Sequence, residues 1–191
     1  MLTKFLDVVS RTTTLQAPDV ELCAQAFQPL SLKKNIAVAA AGAVPQHLYF
    51  VAEGFMRLYY LDERGREVTS YFGAANEFLT PFLSFIHQQP SPENLACIAD
   101  CEVLQISRPA MAALIEASAA FKTFSVTIFE QAIAATARRA DSLATLSAEQ
   151  RYRQLLAARP DLLLHVPVQH IASYLGMQPE SLSRIRRQST N

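Results

Sequence analysis

The chain lacks any apolar run near the ~18 residues that a membrane span requires, although half of its 191 residues are hydrophobic. That content supports a real core and argues against disorder. The N-terminal segment MLTKFLDVVSR sets Asp7 and Arg11 among its apolar residues and lacks a cleavable signal pattern. The chain reads as soluble and cytoplasmic, with no membrane partner. Cysteine is scarce and odd in number: Cys23, Cys97 and Cys101, with no CxxC. These read as buried reduced thiols, since a zinc or iron–sulfur site needs more ligands close together. The four histidines, His47, His87, His165 and His170, are scattered without HxH or HExxH. No metal, cofactor or catalytic residue is therefore expected, and the chain does not read as an enzyme.

A formal net charge of zero hides an asymmetry. Residues 1–146 carry 11 Lys/Arg against 14 Asp/Glu, whereas residues 147–191 carry 6 Arg against 3 Asp/Glu. A basic end on a mildly acidic body fits a module that binds a polyanion.

Local patterning divides the chain. Residues 2–27 predict short helices, with Pro18 and Asp19 as start signals. Residues 28–107 predict short strands in the runs NIAVAAAG, QHLYFVAEGFMRLYYL, EVTSYFG and ACIADCEVLQI. Gly54 divides the longest run as a bulge or tight turn would, and DERGRE supplies a hairpin tip at Gly65. Strands at this spacing suggest a compact antiparallel barrel or roll. An insertion at residues 76–95 predicts a short helix ending near His87 and a loop through Pro90 and Pro92. Ser107 and Pro109 then start a helix. A longer one follows over residues 121–146, about 39 Å at the usual rise. Ser147 and Gln150 form a capping box for the next helix, which Pro160 and Asp161 end.

In the long helix Phe121, Phe124, Ile128, Ala132 and Ala135 share one face at spacings of three and four. The helix is longer than a small roll needs, and its alanine-rich middle would admit a second helix. This face is the expected dimerisation surface; packing against the chain's own roll is the alternative.

The stretch VQHIASYLGMQPESLSRIRR, residues 168–187, meets the demands of two helices crossing at a tight turn. Ile171, Leu175, Met177, Leu182 and Ile185 stand at inner positions, Ala172 at the crossing and Gly176 at the turn. Pro179 suits a first helical turn. The second helix then exposes Glu180, Ser181, Ser183, Arg184, Arg186 and Arg187. Arg184 suits bidentate contact with guanine, and Glu180 could accept from a cytosine amino group. Ser181 and Ser183 are short donors, and Arg186 and Arg187 suit phosphates. The plain alternative is a helical hairpin with a solvated arginine face.

These features resemble the Crp/Fnr superfamily of bacterial transcription regulators over nearly the whole chain. The matching stretches are LYFVAEGFMRLYYLDERGREVT, CEVLQISRPAMAALIE, LATLSAEQRYRQLLAARPDLL and VPVQHIASYLGMQPESLSRIRR, the last being the most specific. The resemblance implies an α+β chain with an antiparallel, cyclic nucleotide-binding-like β-roll at residues 1–107. A long dimerisation helix would cover 108–146 and an all-α helix-turn-helix DNA-binding domain 147–191. It further implies a homodimer on a two-fold symmetric (palindromic) operator in double-stranded DNA, with RNA polymerase as a partner for an activator.

Cyclic-nucleotide binders of that superfamily carry Gly-Glu-Leu and, after a loop, Arg-Ser or Arg-Thr. Here Thr80 and Pro81 stand where Gly-Glu would lie, and Glu93 and Asn94 fall near the Arg-Ser position. Glu93 would repel a phosphate where an arginine would pair with it. The chain is thus expected to belong to a subgroup lacking the usual cyclic-nucleotide motif, with an effector other than cyclic AMP. The iron–sulfur cysteines of the Fnr branch are missing too. Phe78, Thr80, Phe82, Phe85 and Asn94 are the candidate walls of a small-molecule effector pocket, a filled apolar core being the alternative. Four residues follow Arg187, too few for the β-wing of many relatives, so Arg151 and Arg153 are candidate phosphate contacts. The competing reading is a β-roll that binds a small molecule or cyclic nucleotide and has no role at DNA.

Overall fold

The computed structural model describes residues 1–189. Helices α1 (Leu2–Ser10) and α2 (Ala17–Ala26) open the chain. Strands β1 (Gln28–Leu32), β2 (Ala37–Ala39), β3 (His47–Glu53), β4 (Met56–Leu61), β5 (Glu67–Gly73) and β6 (Glu77–Leu79) follow, then α3 (Phe82–His87), β7 (Asn94–Cys97) and β8 (Cys101–Ser107). They form an antiparallel roll from two four-stranded sheets, ordered β1-β8-β3-β6 and β2-β7-β4-β5.

The chain passes between the two sheets six times, and two of these passages meet at a corner. β3 passes to β4 through Gly54 and Phe55, and β7 passes to β8 through residues 98–100. The crossings are bonded to each other: the Ile98 amide donates to the Phe55 carbonyl at 2.7 Å. Gly54 has φ +93°, and a Cβ placed there would lie 2.4 Å from the Asp100 carbonyl oxygen. Both the backbone conformation and the approach of a second backbone require glycine.

The strands β1 and β6 lie outside the strand runs expected from the sequence. β6 occupies the first part of the insertion read as helical; the helix there is only α3. Its three residues bond to Tyr49, Phe50 and Val51 of β3, a partnership without a local signal. Likewise ACIADCEVLQI is two strands in different sheets, separated by the corner.

Ser107 caps α4 (Arg108–Ala117), accepting from the Ala110 amide at 3.3 Å, with Pro109 in the first turn. The chain breaks helical geometry at Ser118 and resumes as α5 (Ala119–Thr145). The remaining helices are α6 (Ala148–Ala158), α7 (Pro160–His165), α8 (Val168–Tyr174) and α9 (Pro179–Ser189). Ser147 and Gln150 form the capping box of α6. Pro160 does more than end α6: it opens α7, where a first-turn proline costs no helix bond.

By contacts the chain forms two compact units, one of Met1–Leu58 with Phe72–Ile133, the other of Tyr59–Tyr71 with Ala134–Asn191. The division runs within the β4–β5 hairpin and within α5 and does not follow the linear partition of the sequence. The first unit holds seven Lys/Arg against ten Asp/Glu and the second ten against seven, so the charge asymmetry persists in the folded units.

The first unit is built around phenylalanines. Phe5 packs against Phe27 (ring centroids 4.4 Å), Phe50 (5.6 Å) and Phe124 (6.5 Å). Phe121, Phe124 and Ile128 are at most 3% exposed and belong to this same core. Three of the five residues expected at a dimerisation face are thus taken up by the chain's own core. Those three side chains pack on their own roll, and freeing each would expose an apolar group whose burial contributes about 1.5–3 kcal/mol. Ala132 and Ala135 are half-buried. The three cysteines are free and buried, and burial pushes the Cys23 thiol up to about 11.

Candidate nucleic-acid interface

In the second unit, α8 ends in a hydrogen-bonded turn that sets the direction of α9. The Met177 amide donates to the Ala172 carbonyl at 3.0 Å and the Gly176 amide to the Ser173 carbonyl at 3.1 Å. This pair of bonds is the Schellman motif, which needs a residue of positive φ between them. Gly176 supplies it at +65°. Behind the turn, Ile171, Ala172, Leu175, Leu182 and Ile185 are buried. Tyr152, Leu155, Leu162 and Val166 of the neighbouring segments are buried as well. The inner positions expected for the helical pair are thus filled, with Met177 only half-buried.

Of the residues expected to read DNA, Glu180, Ser183, Arg184 and Arg187 are exposed on α9. Ser181 and Arg186 are half-buried, and Arg186 has an interaction within the chain. The exposed group therefore mixes one acid, one hydroxyl and two guanidinium groups over two helical turns.

The other two arginines proposed for phosphate contact are engaged. Arg151 donates to backbone carbonyls at Leu146 and Leu175, 2.6 and 2.7 Å away. Arg153 pairs with Glu149 at 2.6 Å. No pattern in the sequence announces the first of these, because both acceptors are carbonyls at helix ends brought together by folding.

A second node escaped the sequence reading. Thr69 of β5 is fully buried. Its amide donates to the Ser173 hydroxyl oxygen at 3.2 Å, and that hydroxyl lies 3.0 Å from Thr69 Oγ1. The Thr69 carbonyl accepts from Arg139 at 2.9 Å, and the Arg139 guanidinium lies over the Tyr174 ring at 5.2 Å. Strand β5 is thereby bonded to both α5 and α8.

The expected effector-pocket residues are taken up by the roll itself. Phe78 packs against Phe50 (5.1 Å) and Phe124 (5.5 Å). Phe85 is buried in the same core. Phe82 stacks edge-on with Phe129 at 6.1 Å. Thr80 is fully buried and donates to the His47 carbonyl at 2.9 Å. The Asn94 side-chain oxygen accepts from the Ala41 amide at 3.0 Å. Each of the five is thus packed against or hydrogen-bonded to neighbouring groups of the roll. Among the described residues no group of three His, Cys, Asp or Glu could hold a metal ion, and no helix is long and apolar enough to cross a membrane.

Residues 29–118 match the cyclic nucleotide-binding domain family. No curated protein sequence matches the chain significantly. Among solved structures, the chain is similar to FixK2 from Bradyrhizobium japonicum, with a TM-score of 0.76 and 16% identity over 85% of this chain and 83% of that one. The global regulator CLP from Xanthomonas campestris, described as c-di-GMP responsive, gives 0.70 and 20% identity over 92% of each chain. The catabolite activator protein from Thermus thermophilus gives 0.58 and 20% identity over 91% of this chain and 83% of that one. At these identities the likeness establishes a shared fold: an antiparallel β-roll followed by a long helix and further helices.

Proposed function

We propose that this chain is a sequence-specific, DNA-binding transcription regulator of the Crp/Fnr type, acting as a homodimer. The observation that carries the reading is the exposed set Glu180, Ser183, Arg184 and Arg187 on α9, a helix held out by a tight, glycine-dependent turn. A helix so mounted suits the major groove, where Arg184 would read guanine and Glu180 cytosine, while Arg187 meets phosphate. Ser181 and Arg186 flank this set. The second unit's excess of three positive charges favours a polyanionic partner.

The homodimer is supported by the other face of α5. Thr123, Val126, Glu130, Ile133, Ala137, Ala140 and Ala144 are all exposed and recur at alternating spacings of three and four. Val126 is 51% and Ile133 63% exposed. That spacing is the one a two-helix coiled coil uses for its seam, and small residues would permit close approach toward its C-terminal end. Two copies paired there would present two α9 helices to a palindromic operator, about 34 Å apart. RNA polymerase would be the further partner of an activator, and the working location is the cytoplasm.

The first unit is the sensor in this reading. Its effector is a small molecule other than cyclic AMP bound in the usual way, because Thr80 and Pro81 offer no carboxylate for a ribose. Since CLP is described as c-di-GMP responsive, calorimetry should compare c-di-GMP with cyclic AMP and cyclic GMP.

The test is selection from a random pool of duplexes by the purified full-length protein, followed by binding at several salt concentrations. A shared palindromic sequence and a steep salt dependence are expected; failure to enrich any duplex, with and without these nucleotides, refutes the reading.

A further inference from the structure

Arg151 sits on the first turn of α6, yet its guanidinium turns inward to two helix ends. Nη1 donates to the carbonyl of Leu146, the residue after α5, and Nε donates to the carbonyl of Leu175, the C-cap of α8. Carbonyls at helix C-termini lack intrahelical donors and carry the negative end of the helix dipole, so a cation there is favoured twice. A guanidinium is planar, and two of its N–H groups point in fixed directions. Two such bonds constrain the angle between the helix ends as well as their separation. The turn itself is seated on the same end of α5: a Cβ on Gly176 would lie 2.8 Å from Leu143 Cδ2. Leu143, Leu146, Arg151, Leu175 and Gly176 thus form one clamp.

We propose that Arg151 is a positioning residue for DNA recognition: by clamping the α8–α9 turn to the end of α5, it sets the half-site spacing that a dimer accepts. The proposal rests on the DNA-binding reading above. It does not require Arg151 to touch DNA. With the clamp in place, α9 departs from α5 in one direction, and the distance between two recognition helices follows from the pairing of two α5 helices. Without it, α9 samples a range of directions and a range of spacings becomes acceptable.

The experiment uses the operator enriched by the wild-type full-length chain, resynthesised with the central spacer one base pair shorter and one longer. Wild type, Arg151→Lys, Arg151→Gln and Leu143→Ala are compared. Wild type is expected to prefer the parental spacing by about tenfold, and the three variants by about threefold or less, because a one-base-pair change moves and rotates a half-site. Lysine keeps the charge but lacks the fork, so it should not restore the preference. The salt slope of Arg151→Gln is expected to equal that of wild type. A slope smaller by about 0.9, together with full recovery in Arg151→Lys, would mark a phosphate contact and overturn the proposal. An undiminished spacing preference in all three variants overturns it as well. A wild-type chain that enriches no duplex removes the DNA-binding reading and this proposal with it, before any substitution is made.

Discussion

The hydroxyl of Ser118 donates to the Asp19 carboxylate at 2.6 Å while accepting from the Phe121 amide at 3.0 Å. One side chain thus caps the start of α5 and ties it to α2, where the other Asp19 oxygen accepts from the Gln16 amide at 2.9 Å. The Ser118 hydroxyl, then the Gln16 amide, holds the Asp19 carboxyl below the usual carboxylate range. A depressed carboxyl adds stability above its unfolded value, near pH ~3.9, and loses it as pH falls through its folded value. The thermal midpoint of wild type should therefore exceed that of Asp19→Asn at neutral pH, and the gap should close in acid. Ser118→Ala should cost about 1–2 kcal/mol at neutral pH, a drop of about 2–4 °C in midpoint for each kcal/mol.

Gly54→Ala places a methyl group against a backbone carbonyl and demands an unfavourable φ. Besides Cys101 Sγ at 2.7 Å, the crowding atoms are backbone, the Asp100 carbonyl oxygen at 2.4 Å and Cys101 Cα at 2.9 Å, so relaxation must move one of the two crossings at the corner. A loss of at least about 2 kcal/mol is expected in denaturant unfolding. Gly42→Ala is the control, because its added Cβ meets nothing within 4 Å although its φ is +84°. The difference between the two losses isolates the clash from the conformational strain.

At DNA, the exposed arginines should separate by kind. Arg184→Ala is expected to cost about 1–3 kcal/mol and to relax preference at one base pair of each half-site. Arg187→Ala should weaken all sequences alike and lower the salt slope by about 1. Binding measured over a series of single-base operator variants at two or more salt concentrations distinguishes them.

The two faces of α5 make opposite predictions. Ile133→Glu places like charges across a paired seam and should shift sedimentation from dimer to monomer while the roll stays folded. Phe124→Ala should instead destabilise the roll by about 3–5 kcal/mol, because it leaves a cavity among Phe5, Phe78 and Phe121. If Phe124→Ala dissociated a dimer without lowering the unfolding midpoint, the assignment of the faces would be reversed.

α5 also shows where pattern reading runs out. Phe121, Phe124 and Ile128 recur at helical spacing, but so do Val126, Ile133, Ala137 and Ala140 on another face. Periodicity identifies a helix with apolar faces and says nothing about which face meets the chain's own core. That choice went to the bulky aromatics because Phe5, Phe27 and Phe78 provide the rings they pack against. Phe78 and Phe85 teach the same lesson, since spacing did not show that their rings pack with the core around Phe50 and Phe124.

Features whose partners lie within about four residues were legible beforehand. The Ser107 cap, the Ser147–Gln150 capping box, the hairpin tip at Gly65 and the glycine turn between α8 and α9 all depend on local backbone geometry, which residue type controls directly. What needed the folded chain were partnerships between distant segments. β6 is a strand only because β3 lies beside it, Gly54 meets a second backbone, beyond the demand of its own φ, only because Asp100 crosses there, and Arg151 faces inward only because two helix ends meet around it. Sequence spacing controls which atoms a residue can present, but packing decides which of them find a partner, because the free energy of a buried contact depends on groups the local chain does not contain.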